Sequence, residues 1–272
     1  MATTEVDRSF SGSIPELYER LLVPLIFAPY ATDMAARAAA LCPRAVLEVA
    51  AGTGVVTREL ARVLPADCEI VASDLNAPML DHAASLGTAR PVQWRQADAM
   101  QLPFADASFD LVVCQFGAMF FPDRPAAYAE ARRVLRPGGT FVFSVWDRIE
   151  TSEFADVVTQ SLVPLFPADP PRFLARTPHG YHDTALVAAD VARAGYGAPA
   201  RIDTVDRRSR ADGPELPARA YCQGTPLRNE ILARGPAALE RATEAATEAM
   251  AQRFGRGPVD GLIRAHVVTA AR

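Results

Sequence analysis

One segment restricts the fold of this chain more than any other: Val46-Leu47-Glu48-Val49-Ala50-Ala51-Gly52-Thr53-Gly54. The short apolar run reads as a buried strand, and the small residues that end it read as a tight turn opening into a helix. Gly and Ala there remove the side chains that would hold a ligand off the backbone, and the free N–H groups of a turn and helix start can bond its polar atoms. A glycine turn after a strand also serves nicotinamide sites, flavin sites or plain packing, so its meaning depends on the residues farther along the chain.

From Ala45 to Trp146 short apolar runs alternate with helical patterns, the signature of βαβ units and a parallel sheet. The strands expected are Ala45–Val49, Glu69–Ser73, Val92–Gln96, Phe109–Gln115 and Thr140–Trp146. Between them a helix over Thr57–Val63 stops before Pro65, one over Ala77–Ser85 stops at Gly87, and one over Arg124–Leu135 runs from the cap Asp123 into Pro137-Gly138-Gly139. Beyond Trp146, Pro164, Pro167, Pro170, Pro171 and Pro178 break the chain around a short helix near Thr151–Val163, which reads as an insertion. Regularity returns with a helix capped by Asp183 and ending at Gly195, then a strand over Ala200–Arg207. Helices near Glu215–Tyr221, Pro226–Arg234 and Ala237–Phe254 precede a last strand over Gly261–Ala270.

With 272 residues, 50% of them hydrophobic and 22% charged, the chain can bury a sizeable core, and one domain is the simplest organisation. It divides into an N-terminal cap (1–44), a ligand-binding core (45–147) and cap insertions (148–182 and 212–258). A formal net charge of −4 gives no overall basic field for a polyanion, which disfavours nucleic acid as a partner. The cysteines Cys42, Cys68, Cys114 and Cys222 lie far apart with no CxxC pair, which implies neither a zinc site nor a disulfide framework and fits a reducing cytoplasm. Glu5, Asp7 and Arg8 precede any apolar run, and Pro24 and Pro29 interrupt the stretch Leu21–Tyr30, so neither a signal peptide nor a membrane span is expected.

Two carboxylates give the glycine turn a direction. Asp74 ends the second strand about 20 residues beyond the turn, where a carboxylate takes both hydroxyls of a ribose; capping the following helix is a compatible role. Asp98, after the third strand, can read an adenine amino group or cap its own loop. Together with Phe109-Asp110-Leu111-Val112-Val113 and Arg133-Val134-Leu135-Arg136-Pro137-Gly138-Gly139, these motifs resemble those of class I S-adenosylmethionine-dependent methyltransferases, in particular the ubiquinone/menaquinone and small-molecule branch. The resemblance implies an α/β, Rossmann-like sheet of seven mostly parallel strands, the last antiparallel, with helices on both faces; the strands expected from the residue pattern are equal in number. It also implies S-adenosylmethionine as cofactor and S-adenosylhomocysteine as product. By position, Glu48, Ala50 and Gly52 would face the methionine part, with Thr53 in the same turn. Asp74 would face the ribose, Leu75 and Met79 the adenine faces, Asp98 and Ala99 the adenine edge, and Gln115 the sulfonium. The sequence departs from the family's usual Gly at Ala50 and from its frequent Asp at Glu48.

Methyl transfer by in-line attack needs alignment and exclusion of water, and no metal or covalent residue. Phe116 and Phe120, after the fourth strand, are pocket candidates, as are Phe27 and Tyr18 in the aromatic segment before the first strand; each is equally compatible with core packing. Tyr18 can meet the cofactor's carboxylate end. The late helical stretch with Tyr221-Cys222-Gln223-Gly224-Thr225 can close the pocket from the other side, or else serve as a structural cap. His179-Gly180-Tyr181-His182 offers His179 as a general base and Tyr181 as a substrate contact, or else a plain loop cap. His82 and His266 read as structural.

The acceptor expected is a small, partly apolar molecule; its identity, the methylated atom and any homo-oligomer stay open. A nicotinamide-dependent oxidoreductase shares the strand, turn and acidic residue, but Thr57 stands where GxGxxG has its third glycine. A base methyltransferase would carry an Asp/Asn-Pro-Pro-Tyr/Phe run where this chain has Cys114-Gln115-Phe116-Gly117. A protein that binds the cofactor without methyl transfer has no distinguishing motif.

Overall fold

A computed structural model describes residues 14–272; Glu5, Asp7 and Arg8, on which the reading of no leader partly rests, lie outside the described residues. The core is one seven-stranded sheet of order β3-β2-β1-β4-β5-β7-β6. Its strands are β1 (Ala45–Val49), β2 (Glu69–Asp74), β3 (Gln93–Gln96), β4 (Phe109–Gln115), β5 (Leu135–Trp146), β6 (Arg201–Ala211) and β7 (Val259–Ala271). Strands β1 to β5 pair in parallel, and β7 runs antiparallel to both β5 and β6. The number of strands and the reversed last one are as the sequence implies. The fifth strand starts earlier than Thr140 because Leu135 already pairs with Phe109, ahead of an irregularity between Phe109 and Leu111.

The central strands β1 and β4 are buried on nearly every residue, which is why they read as continuous apolar runs rather than alternating ones. Helices α3 (Val55–Val63), α4 (Ala77–Leu86) and α5 (Arg124–Val134) make the crossovers. Asp123 caps α5 by accepting from the Ala126 N–H at 3.1 Å, and Asp183 caps α8 (Thr184–Arg193) by accepting from Ala185 at 2.9 Å. The chain runs outward from β1 through β2 to β3, then returns to place β4 on the other side of β1. The crevice at the carboxyl ends of β1 and β4 is therefore the topological switch point, where open α/β sheets bind ligands.

A second helical layer comes from the chain's start and its late segments. Residues Tyr18–Phe27 form a π-helical stretch containing Pro24, between a short α1 (Ile14–Leu17) and α2 (Ala28–Ala40). Helices α6 (Glu153–Leu162), α9 (Glu215–Gln223) and α11 (Ala238–Phe254) pack on one another, and α9 also packs on the π-helical stretch. Far from being a loose excursion, α6 buries Phe154, Val158 and Leu162. Among the described residues no helix is long and apolar enough to cross a membrane.

Candidate active site

At the switch point the backbone turns sharply enough that Ala50 takes φ 56°, the left-handed region that favours glycine. Across the crevice Gly117 follows β4, and a Cβ there would collide with the Ala50 Cβ and stand 2.8 Å from the Cys114 sulfur. Close approach of two loops, rather than loop flexibility, is what requires glycine at 117.

The crevice opens into a cleft lined by the ends of β1, β2 and β4 and the loops after them. Tyr18, Ala50, Gly52, Asp74, Leu75, Met79, Asp98, Ala99, Gln115, Phe116 and Phe120 all face it. Asp74 is its buried charge: Oδ2 accepts from the Gly52 N–H and Oδ1 from the Asn76 N–H, each at 2.8 Å. Burial raises its carboxyl above the ordinary range, against the pull of those N–H donors. Asp74 thus ties the glycine turn to Asn76, the N-cap position of α4, and serves both at once. Leu75 is 41% exposed on the cleft rim, an apolar face left open to a planar ligand. Asp98 accepts from the Met100 N–H at 2.9 Å, and its loop sets Ala99 into the wall. The Gln115 amide donates to the Phe27 carbonyl at 3.3 Å, and its buried Oε1 has no hydrogen-bond partner among the described residues.

Glu48 and Thr53 lie behind this wall. Glu48 is 2% exposed and accepts from the Thr57 hydroxyl at 2.5 Å; burial, reinforced by Asp74, pushes its carboxyl up to about 8. Thr57 thus fills with a buried hydrogen bond the place where a dinucleotide site keeps glycine. The Thr53 carbonyl accepts from Arg58 at 2.7 Å, and Arg58 also pairs with Glu19 at 2.5 Å, fastening the π-helical stretch to the turn.

A second, apolar cavity adjoins the first and shares Tyr18, Phe116 and Phe120 with it. Its walls come from the π-helical stretch (Leu22, Ile26, Phe27), the end of β5 (Trp146), Phe173, His179, Tyr221 and Ile263 of β7. Trp146 stacks on Phe116 with ring centroids 3.7 Å apart and planes within 2°, and Tyr18 stacks on Phe27 at 4.9 Å. His179 Nδ1 lies 2.7 Å from the Asp147 carbonyl, and burial lowers the pKa of the ring to about 4, so the imidazole is neutral near pH 7. Tyr181 stays outside both spaces: its hydroxyl donates to Asp190 at 2.8 Å, and Arg124 lies over its ring.

The structure therefore gathers Tyr18, Ala50, Gly52, Asp74, Leu75, Met79, Asp98, Ala99 and Gln115 around one space, and Phe27, Phe116, Phe120, His179 and Tyr221 around its neighbour. Thr225, in the stretch expected to close the pocket, lines it too; Trp146, Ser152 and Leu174 join the second set although sequence reasoning does not single them out. Trp146 carries a usable signal, as the last residue of a strand at the ligand-binding edge; Ser152 carries none. The residues of the first cleft fit S-adenosylmethionine. A buried carboxylate sits beside the glycine turn, an apolar rim lies where a purine would stack, and an orphaned amide oxygen on Gln115 matches a cation.

Residues 47–143 match the methyltransferase domain family. A demethylmenaquinone methyltransferase of Deinococcus radiodurans is 40% identical over 141 residues, covering 50% of this chain and 58% of the relative. The chain spans less than two thirds of the length of the curated relatives it matches. In fold it is similar to the YcgJ protein of a Bacillus, with TM-score 0.57, 18% identity and coverage of 90% and 98% of the two chains. It is also similar to phosphoethanolamine N-methyltransferase 2 of Haemonchus contortus in complex with S-adenosyl-L-methionine, with TM-score 0.59, 15% identity, and coverage of 98% of this chain and 59% of that one.

Proposed function

We propose that the chain, whose residues 47–143 match the methyltransferase domain family, transfers a methyl group from S-adenosylmethionine to a small, partly apolar acceptor and releases S-adenosylhomocysteine. The observation that carries this reading is the pair of adjoining spaces with a shared aromatic wall of Tyr18, Phe116 and Phe120. A two-substrate displacement needs such a geometry: one site rich in polar contacts, one apolar, and a common boundary at which reactants meet.

When bound, S-adenosylmethionine supplies a methyl group on positive sulfur, which needs no further activation. The chain's residues do the rest. Asp74, held by the Gly52 N–H, orients the ligand, and the Gln115 oxygen and aromatic faces favour positive charge at the boundary. The helical layer keeps water from the acceptor side. In this reading 1–272 act as one domain, with 45–147 holding the cofactor and 148–182 and 212–258 closing over the acceptor. The partner is a small molecule, and the acidic balance argues against nucleic acid.

The test is to incubate the purified chain with S-adenosylmethionine and a panel of neutral aromatic and aliphatic acceptors, following S-adenosylhomocysteine. Acceptor-dependent formation supports the reading. Tight cofactor binding with no turnover on any acceptor would leave a binding protein, and would contradict it.

A further inference from the structure

Among the described residues the acceptor cavity has no charged side chain in its wall. Its lining side chains are apolar or aromatic apart from Tyr18, Ser152, His179, Tyr221 and Thr225, and among these His179 is neutral near pH 7. The Thr225 hydroxyl is already committed, donating to the Tyr221 carbonyl at 2.8 Å. Ser152 is different: it is 2% exposed, lines the cavity, and its Oγ has no hydrogen-bond partner among the described residues. A buried hydroxyl left unpaired is costly, which marks it as a group awaiting a ligand.

His179 is held in a matching state. Its Nδ1 faces a carbonyl, the Asp147 oxygen, which can only accept, so Nδ1 must carry the ring proton. The remaining nitrogen, Nε2, is then a pure acceptor. Asp147 and Ser152 bracket the same short connection after β5, with a single 3-10 turn over Ile149–Thr151 between them, so the loop that fixes the His179 tautomer also carries the unpaired hydroxyl.

We propose that His179 and Ser152 form the polar end of the acceptor site and select an uncharged ring compound bearing a hydroxyl group. The hydroxyl donates to His179 Nε2 and accepts from Ser152 Oγ, while the ring lies among Phe27, Phe116 and Trp146. An acceptor-only nitrogen discriminates in favour of a donor, and an ammonium or carboxylate entering this cavity would lose its hydration with no opposite charge to meet. The assignment rests on the acceptor reading of the second cavity, but binding can be measured without turnover.

The experiment uses the full chain, with and without excess S-adenosylhomocysteine, and measures affinity by calorimetry for three probes: 2-naphthol, naphthalene and 2-naphthylmethylamine. The expected order is 2-naphthol about tenfold tighter than naphthalene, the worth of one well-made buried hydrogen bond, with the cationic amine weakest. His179→Phe and Ser152→Ala should each erase most of the hydroxyl preference while naphthalene affinity stays within about twofold. His179→Gln, which keeps an acceptor oxygen, should restore part of it. Equal affinities for 2-naphthol and naphthalene, no binding of either, or loss of the preference in Tyr221→Phe instead would overturn the assignment. If the probe pattern holds while S-adenosylmethionine itself fails to bind, the polar end stands and the methyl-transfer reading falls.

Discussion

The two spaces are built in opposite ways. The cofactor-side cleft is made by backbone: a turn with Ala50 at φ 56°, a facing Gly117 that tolerates no Cβ, and N–H groups bonded to Asp74. The acceptor-side cavity is made by side chains from segments as distant as Leu22 and Ile263, held by ring contacts such as Phe116 on Trp146. A backbone site keeps to one ligand shape because few substitutions change it. A side-chain site can be repacked residue by residue, so acceptor choice can drift while the cofactor stays the same.

That contrast predicts how the spaces separate under mutation. If Asp74 holds the two ribose hydroxyls as proposed, Asp74→Ala should weaken S-adenosylmethionine about 100-fold by calorimetry, while probes of the second cavity bind as before. If both spaces lost affinity together, they would not be independent. Gly117→Ala should lower stability by about 1–3 kcal/mol in urea unfolding, because Ala50 and the Cys114 sulfur must move to admit the methyl group. An unchanged midpoint would mean the crevice yields more easily than its geometry implies.

Glu48→Gln probes the layer beneath the cleft. The folded carboxyl titrates near 8 against an ordinary value of 4.5, so between those values the folded state binds more protons than the unfolded one. The stability this group contributes is therefore present below about pH 4.5 and is lost as pH rises toward 8. A neutral amide does not titrate, so the variant should gain on the wild type steadily from pH 5 to pH 8; a constant difference would count against a buried, protonated acid. The smallest effect belongs to Ala50→Gly. Relief of the left-handed strain, about 1–2 kcal/mol, is mostly offset by glycine's backbone entropy, leaving a rise of at most a few degrees in thermal midpoint. A clear fall would show that the Ala50 methyl group packs usefully against its surroundings.

The same contrast explains what is legible in the sequence. Strand and turn chemistry is local, so Val46–Gly54, Asp74 and Asp98 can be placed at one edge of a sheet from spacing alone, and Asp123 and Asp183 cap the helices that their positions suggest. The acceptor side depends on which distant segments pack together. Phe27 and Phe116 stand out as candidates only because they are aromatic and near a motif, and Ser152 is invisible because a serine in a broken stretch has no period or partner to betray it. The π-helical stretch Tyr18–Phe27 reads simply as an apolar segment, since its wider winding leaves no residue signature. Tyr181 shows the reverse: an aromatic residue two positions from His179 turned away, because Asp190 on α8 offers its hydroxyl a buried partner.

The most direct test of the central reading is calorimetric titration of the purified chain with S-adenosylmethionine and, separately, with a nicotinamide dinucleotide. Saturable binding of the first and none of the second is the predicted result. Dinucleotide binding, or no binding of S-adenosylmethionine, would contradict it.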